Sequence, residues 1–191
     1  MPLQARLTLG FAAVLLAGTL TGCGPGWKVV RTSGPPSALA TASDVAVAYD
    51  YSHMLVEGRT EQEWVADKTA EDANYATTWH DLKARFEEAV LEGLQKEYPS
   101  AHTVQTSPGN VVMVVQVQRF KLGKFIPFVL PPSVVEAALV WQVGGQPTDE
   151  ITLRRDFPSS VYNPSVFNHI KPIGLAIGKA GGKFLASQQG R

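Results

Sequence analysis

Val111-Val112-Met113-Val114-Val115-Gln116-Val117-Gln118-Arg119-Phe120 is dense in residues branched at Cβ, and such side chains suit a pleated surface better than a helix. A central strand is predicted there. Ser107-Pro108-Gly109-Asn110, just before it, is turn chemistry. Past a loop around Lys121 to Lys124, the run Val134 to Val143 alternates, with Val135, Ala137, Leu139, Trp141 and Val143 on one side. Gly144-Gly145-Gln146-Pro147-Thr148-Asp149 then turns into Glu150 to Phe157, where Ile151, Leu153, Arg155 and Phe157 alternate with Thr152, Arg154 and Asp156. Two or three antiparallel strands in a meander follow from this pattern.

Upstream, Trp79, Leu82, Phe86, Val90 and Leu94 recur at steps of three and four, while Lys83, Glu87, Glu88 and Lys96 fall elsewhere. That is one face of an amphipathic helix, which Pro99 ends. Thr60-Glu61-Gln62-Glu63 is a capping-box pattern, so a helix is predicted to open at Thr60. The poorer helix formers from Asn74 to Thr78 allow either one long helix or two pieces. Asp44 to Tyr51 alternates Val45, Val47 and Tyr49 with smaller residues and reads as the first strand. His169 to Ala186 places Ile170, Ile173, Ile177, Phe184 and Leu185 near one face of a closing helix. Its Gly174, Gly178 and Gly182, with Gly181 beside them, are expected to let that helix approach the sheet closely. The element order predicts an α+β fold: a two-layer sandwich, mostly antiparallel, with helices on one face.

At the amino terminus Arg6 precedes the apolar stretch Leu7 to Leu20, which Thr21-Gly22-Cys23 follows. This is the layout of a secretory signal, and it falls short of the roughly 20 residues that span a bilayer as a helix. Leu20-Thr21-Gly22-Cys23 resembles the lipobox of bacterial lipoproteins. The resemblance implies cleavage before Cys23 and lipidation of its thiol, and Gly24 in the next position resembles the pattern passed on to the outer membrane. Several acyl chains would hold the protein at the bilayer where one would not. Cys23 is the only cysteine, so no disulfide within the chain is available. Residues 1–22 thus read as signal peptide, 23–43 as a lipidated Cys and a Gly- and Pro-rich tether carrying Trp27, and 44–191 as one periplasmic domain.

Across residues 20 to 186 the chain resembles a loose group of outer-membrane lipoproteins of Gram-negative bacteria with a small α and β domain. The lipobox, Val45 to Tyr49, Glu63-Trp64 before Lys68-Thr69-Ala70-Glu71, the Trp79 to Leu94 helix and the Gly-containing end helix carry the likeness. It implies a location and a fold, and no catalytic residues.

Exclusions come from charge and motif. The chain holds 17 basic and 17 acidic residues, and losing residues 1–22 removes only Arg6 from either set, so no global field suits nucleic acid. His53, His80, His102 and His169 show no metal-ligand spacing, with His80 read as a solvated helix residue. Nucleophile elbows and phosphate loops do not occur, and no cofactor is expected. Adjacent acidic pairs such as Glu87-Glu88 point in different directions on a helix. The sharpest functional candidate is the proline-stiffened apolar run Phe125-Ile126-Pro127-Phe128-Val129-Leu130-Pro131-Pro132, a partner or lipid contact built on Phe125, Ile126, Phe128, Val129 and Leu130. The expected function is a non-enzymatic, lipid-anchored module that binds an envelope protein or copies of itself through that loop and an open sheet edge. An envelope enzyme would instead require groups such as Asp50, His53 and Arg154 to converge in a cleft. A secretion or pore lipoprotein would use Val111 to Val143 as a membrane hairpin.

Overall fold

The computed structural model describes residues 26–34, 36–104, 110–123, 131–159 and 166–190. Cys23 and the lipobox lie outside them, as do Phe125, Ile126, Phe128, Val129 and Leu130. The described strands are β1 (Lys28–Arg31), β2 (Val45–Asp50), β3 (Leu55–Val56), β4 (Arg59–Thr60), β5 (His102–Thr103), β6 (Val111–Lys121), β7 (Ser133–Val143) and β8 (Gln146–Phe157). The helices are α1 (Glu61–Glu71), α2 (Tyr75–Glu97) and α3 (Val166–Gln188). The strands form one sheet in the order β1-β8-β7-β6-β2-β5, with β3 on β6 and β4 on β3. This is the α+β, mostly antiparallel sandwich that the element order predicts.

The meander is β6-β7-β8, antiparallel throughout. Its β7–β8 turn uses Gly144 and Gly145 at φ 58° and 78°, a left-handed pair that residues with a Cβ adopt at a cost. The strand at Val45 pairs parallel to β6, with Val45 opposite Val111 and Asp50 opposite Gln116. Parallel neighbours cannot be joined by a tight turn, so the chain crosses over through α1 and α2 between them.

Thr60 caps α1 as a complete capping box: its hydroxyl accepts from the Glu63 amide and the Glu63 carboxylate accepts from the Thr60 amide. Hydrogen bonds from Thr60 hold the Glu63 carboxyl below its ordinary value. Because the folded state lowers that pKa, the stabilisation is present above the ordinary carboxylate range and is lost as pH falls through the lowered value. Thr60→Ala should cost about 1 kcal/mol at neutral pH, and its stability should fall less than the parent's on acidification. Urea unfolding at several pH values tests this, and parallel curves would refute it. The helical region is two pieces, since α1 ends at Glu71 and α2 begins at Tyr75.

The sheet face toward the helices carries Val45, Val47, Met113, Val115, Val117, Leu139, Trp141 and Ile151, all nearly inaccessible. Onto it α2 lays Trp79, Leu82, Phe86, Val90 and Leu94, and α3 lays Ile170, Ile173, Ile177 and Phe184. Phe120 is met edge-on by Trp79 at 5.5 Å and by Phe86 at 6.1 Å, and Trp141 lies 4.6 Å from Phe184. The apolar row of β6 and β7 is therefore the protein core, which overturns the membrane-hairpin use of Val111 to Val143: those side chains are occupied by α2 and α3.

Two further expectations are corrected. A Cβ at Gly174 or Gly178 would collide with α2, at the Phe86 carbonyl and the Val90 carbonyl respectively, and one at Gly182 would meet Glu97. Gly93 of α2 reciprocates, lying against the Leu175 backbone. The glycine row thus seats helix on helix, and only Gly181 faces the sheet, at Met113 and Leu139. Nor are residues 26–34 and 36–43 a free tether. β1 pairs with β8, Lys28 opposite Thr152 and Val29 opposite Ile151. Leu39 is fully buried and Ala42 nearly so. Trp27 is half-buried against the core edge. The Gly and Pro content that suggests a flexible arm is compatible with a strap because a few anchored side chains suffice to hold one.

Candidate functional site

A groove of about 940 Å³ runs between the β2–β3 link and the start of α2, lined by Tyr51, His53, Glu61, Trp79, His80 and Lys83 among others. A second of about 660 Å³ shares Tyr51, His80 and Lys83 with it and continues past Tyr49, Glu87 and Thr103. Between them lies a closed polar network. Lys83 Nζ sits 2.6 Å from Glu61 Oε1 and 4.8 Å from the Tyr51 ring centre. Trp79 Nε1 donates to the same Glu61 oxygen at 2.6 Å, Tyr51 Oη donates to Glu87 Oε1 at 3.0 Å, and Tyr49 Oη donates to the Glu87 carbonyl at 2.7 Å. Burial pushes both phenols well above their ordinary value, and the Glu87 carboxylate adds to the shift. Both tyrosines therefore stay protonated donors, and neither can act as a general base near neutrality. Each charged group in the network already has a partner, so its chemistry is to clamp β2, α1 and α2 together.

Asp50, His53 and Arg154 do not converge in one cleft. Asp50 accepts from the Ser52 amide at 2.9 Å and the Ser52 hydroxyl at 2.6 Å, bonds that lower its carboxyl pKa. His53, three residues after Asp50, is exposed. Arg154 stands on β8, separated from β2 by β7 and β6, and pairs with Glu136 at 3.7 Å. Of the histidines, His80 is exposed as expected beside Asp81, and His102 lies 3.2 Å from Asp44. Among the described residues no group of three His, Cys, Asp or Glu side chains gathers where a metal ion could be held.

A serine–histidine pair that sequence reading missed lies at the start of β7. Ser133 Oγ is 2.8 Å from His169 Nδ1 and accepts from the Gly123 amide at 3.0 Å. Both side chains are buried, Ser133 1% exposed and His169 fully enclosed, so no substrate carbonyl could reach the hydroxyl. The pair pins β7 to α3 and to the end of β6. The two residues stand 36 positions apart on different elements, so no local motif signals them.

Among the described residues, the most accessible apolar surface lies on the sheet edge. β1 is the outermost strand among the described residues, bonded only to β8, and all four of its residues are exposed. Val29 is 48% and Val30 53% exposed, bracketed by Lys28 and Arg31, and Arg31 reaches Glu150 at 3.6 Å. Buried Asp149 holds the strap behind this strand, accepting from the Ser33 amide at 3.1 Å and the Ser33 hydroxyl at 2.9 Å. The other edge ends in the short β5, followed by Val104, 37% exposed. No helix in the described residues is long and apolar enough to cross a membrane.

Fold and surface together describe a small α+β sandwich with clamped grooves and open sheet edges. No protein-family model and no curated protein sequence matches the chain. Among solved structures it is similar to the PelC dodecamer from Paraburkholderia phytofirmans, at TM-score 0.45 and 12% identity, over 80% of this chain and 97% of that one. A leucine-to-methionine variant of the same dodecamer in another crystal form matches at TM-score 0.43 and 9% identity, over 73% of this chain and 88% of that one.

Proposed function

We propose that the protein is a lipid-anchored module of the cell envelope, held at the outer membrane through acylated Cys23, that works by assembling with copies of itself or with an envelope protein. The observation that carries the assembly is β1, an edge strand with two exposed valines and no partner on its outer side among the described residues. An unpaired edge offers a row of backbone donors and acceptors to an added strand, and natural proteins usually blunt such edges when they are not used. The closed polar network beside the groove at Tyr51 and Lys83 and the separation of Asp50 and His53 from Arg154 support a binding role over a chemical one. The lipobox supports the anchor.

Sedimentation velocity of the acylated protein in detergent tests the reading. The parent is expected to sediment above monomer mass in a concentration-dependent way, and Val30→Lys, which places a charge on the edge, is expected to run as monomer with unchanged thermal stability. A parent that is monomeric at every concentration and captures no envelope protein through β1 would overturn it.

A further inference from the structure

The strap fixes the domain to its anchor far more closely than a free tether would. Arg155 Nη1 donates to the Gly26 carbonyl at 2.6 Å, and β1 begins two residues later. Three residue steps separate Cys23 from Gly26, a reach of about 10 Å at most. Whatever the sheet displays beside Gly26 is thus carried to within that distance of the acylated residue, an argument that rests on the lipid anchor proposed above.

That end of the sheet is basic. The register runs Arg119 to Glu136 to Arg154 across β6, β7 and β8, with Lys28 beside Thr152 in the next row. Arg119 and Arg154 both approach the Glu136 carboxylate at 3.7 Å and leave half or more of their side chains exposed. Lys121 is exposed one row further on, with Asp156 as its row's acid. A shallow depression of about 600 Å³ between Trp27, Lys28, Gln118, Glu136 and Arg154 opens on the same surface. The opposite end of the sheet carries Asp149 and Glu150 on β8, Glu150 paired with Arg31 of β1, and Asp44 before β2, so acids outnumber cations among the described residues there. The domain is therefore polarised along its strands, with the cationic end next to the anchor.

We infer that the end formed by Trp27, Lys28, Arg119, Lys121 and Arg154 rests on anionic lipid headgroups, so that the acyl chains and this basic ledge fix the orientation of the domain on the membrane. Cationic side chains near an anionic surface each strengthen association about fivefold, and the attraction decays within a Debye length of about 10 Å at 0.1 M salt. The three-residue link holds Trp27 and Lys28 inside that range, and Arg154 on β8 and Arg119 and Lys121 on β6, one and three strands from β1, come within it when the ledge lies along the surface. Trp27 matches the amphipathic ring that favours the headgroup level.

The test uses the acylated protein on vesicles of phosphatidylcholine alone and on vesicles with one third phosphatidylglycerol, reading lysine acetylation rates by mass spectrometry. Lys28 and Lys121 should label at least fivefold more slowly on the anionic vesicles, while Lys96 and Lys171 on the helices keep their rates. High salt should erase the difference. So should Arg119→Glu/Arg154→Glu, and Lys28→Glu, an edge substitution remote from the core, should reduce it independently. Equal rates on both vesicle types, in protein whose intact mass shows acylation, would overturn the ledge and leave the anchor standing. An intact mass without acyl chains would overturn the anchor, and flotation of that protein with the anionic vesicles alone would then decide the ledge by itself.

Discussion

Gly178→Ala should destabilise the domain by about 3 kcal/mol, although alanine is the better helix former by nearly 1 kcal/mol. The added methyl would land on the Val90 carbonyl oxygen and lie 2.7 Å from the Leu94 nitrogen, both backbone atoms of α2. Backbone inside a helix cannot rotate away, so α2 and α3 must move apart. Separation would loosen the row of Ile173, Ile177, Phe86 and Val90 that both helices bury. Gly181→Ala supplies the contrast, because its methyl meets the Met113 sulfur at 2.8 Å, the far end of an unbranched and adaptable side chain. That variant should stay within about 1 kcal/mol of the parent, the helix-propensity gain offsetting the displacement of the thioether. Urea unfolding of both variants measures the difference. Equal stabilities would mean that helix-on-helix contact does not set the spacing.

Leu39→Ala should cost about 3 kcal/mol, the usual scale for emptying a fully enclosed leucine site. The residue lies in a Ser-, Ala- and Pro-rich stretch where sequence alone predicts almost no effect. In the structure its side chain is completely covered, and the turn around it is strapped down from several directions. The Ser37 hydroxyl accepts from the Leu39 amide at 3.1 Å, Gln189 Nε2 donates to the Ala42 carbonyl at 2.7 Å, and Tyr98 Oη donates to the same carbonyl at 2.5 Å. The substitution should therefore also raise the rate at which a protease cuts between residues 26 and 43. A variant as stable and as resistant as the parent would restore the free-tether reading, and with it the loose attachment that the basic ledge excludes.

The two results bear on function together. If Cys23 carries the proposed acyl chains, a strap that holds from Gly26 would make that anchor short and orient the sheet, while a free arm would let the domain tumble away from the bilayer. Deleting one buried leucine tests that distinction without touching Cys23 or the exposed edge.

Local chemistry was legible wherever the physics is local. The Thr60 capping box, the alternation of β6 to β8, the Gly144-Gly145 turn and the amphipathic stripe of α2 each depend on residues within one or two turns of each other. They were readable because side-chain period and cap geometry are properties of a short segment. The α+β class with helices on one face followed from the order of those segments, and the lipobox-like run Leu20 to Cys23 is a purely linear pattern.

What tertiary structure decided is what depends on residues far apart in sequence. Spacing marks Gly174, Gly178 and Gly182 as a face, yet which neighbour fills it, sheet or helix, depends on how α2 and α3 share the core. Ser133 and His169 meet only because β7 and α3 are packed together. Asp50 and Arg154 stay apart because two strands intervene. Residues 26–43 read as a tether, since composition counts glycines and prolines, while a strap is held by a few long-range contacts, Ser33 to Asp149 and Leu39 to the core, that no window of sequence contains.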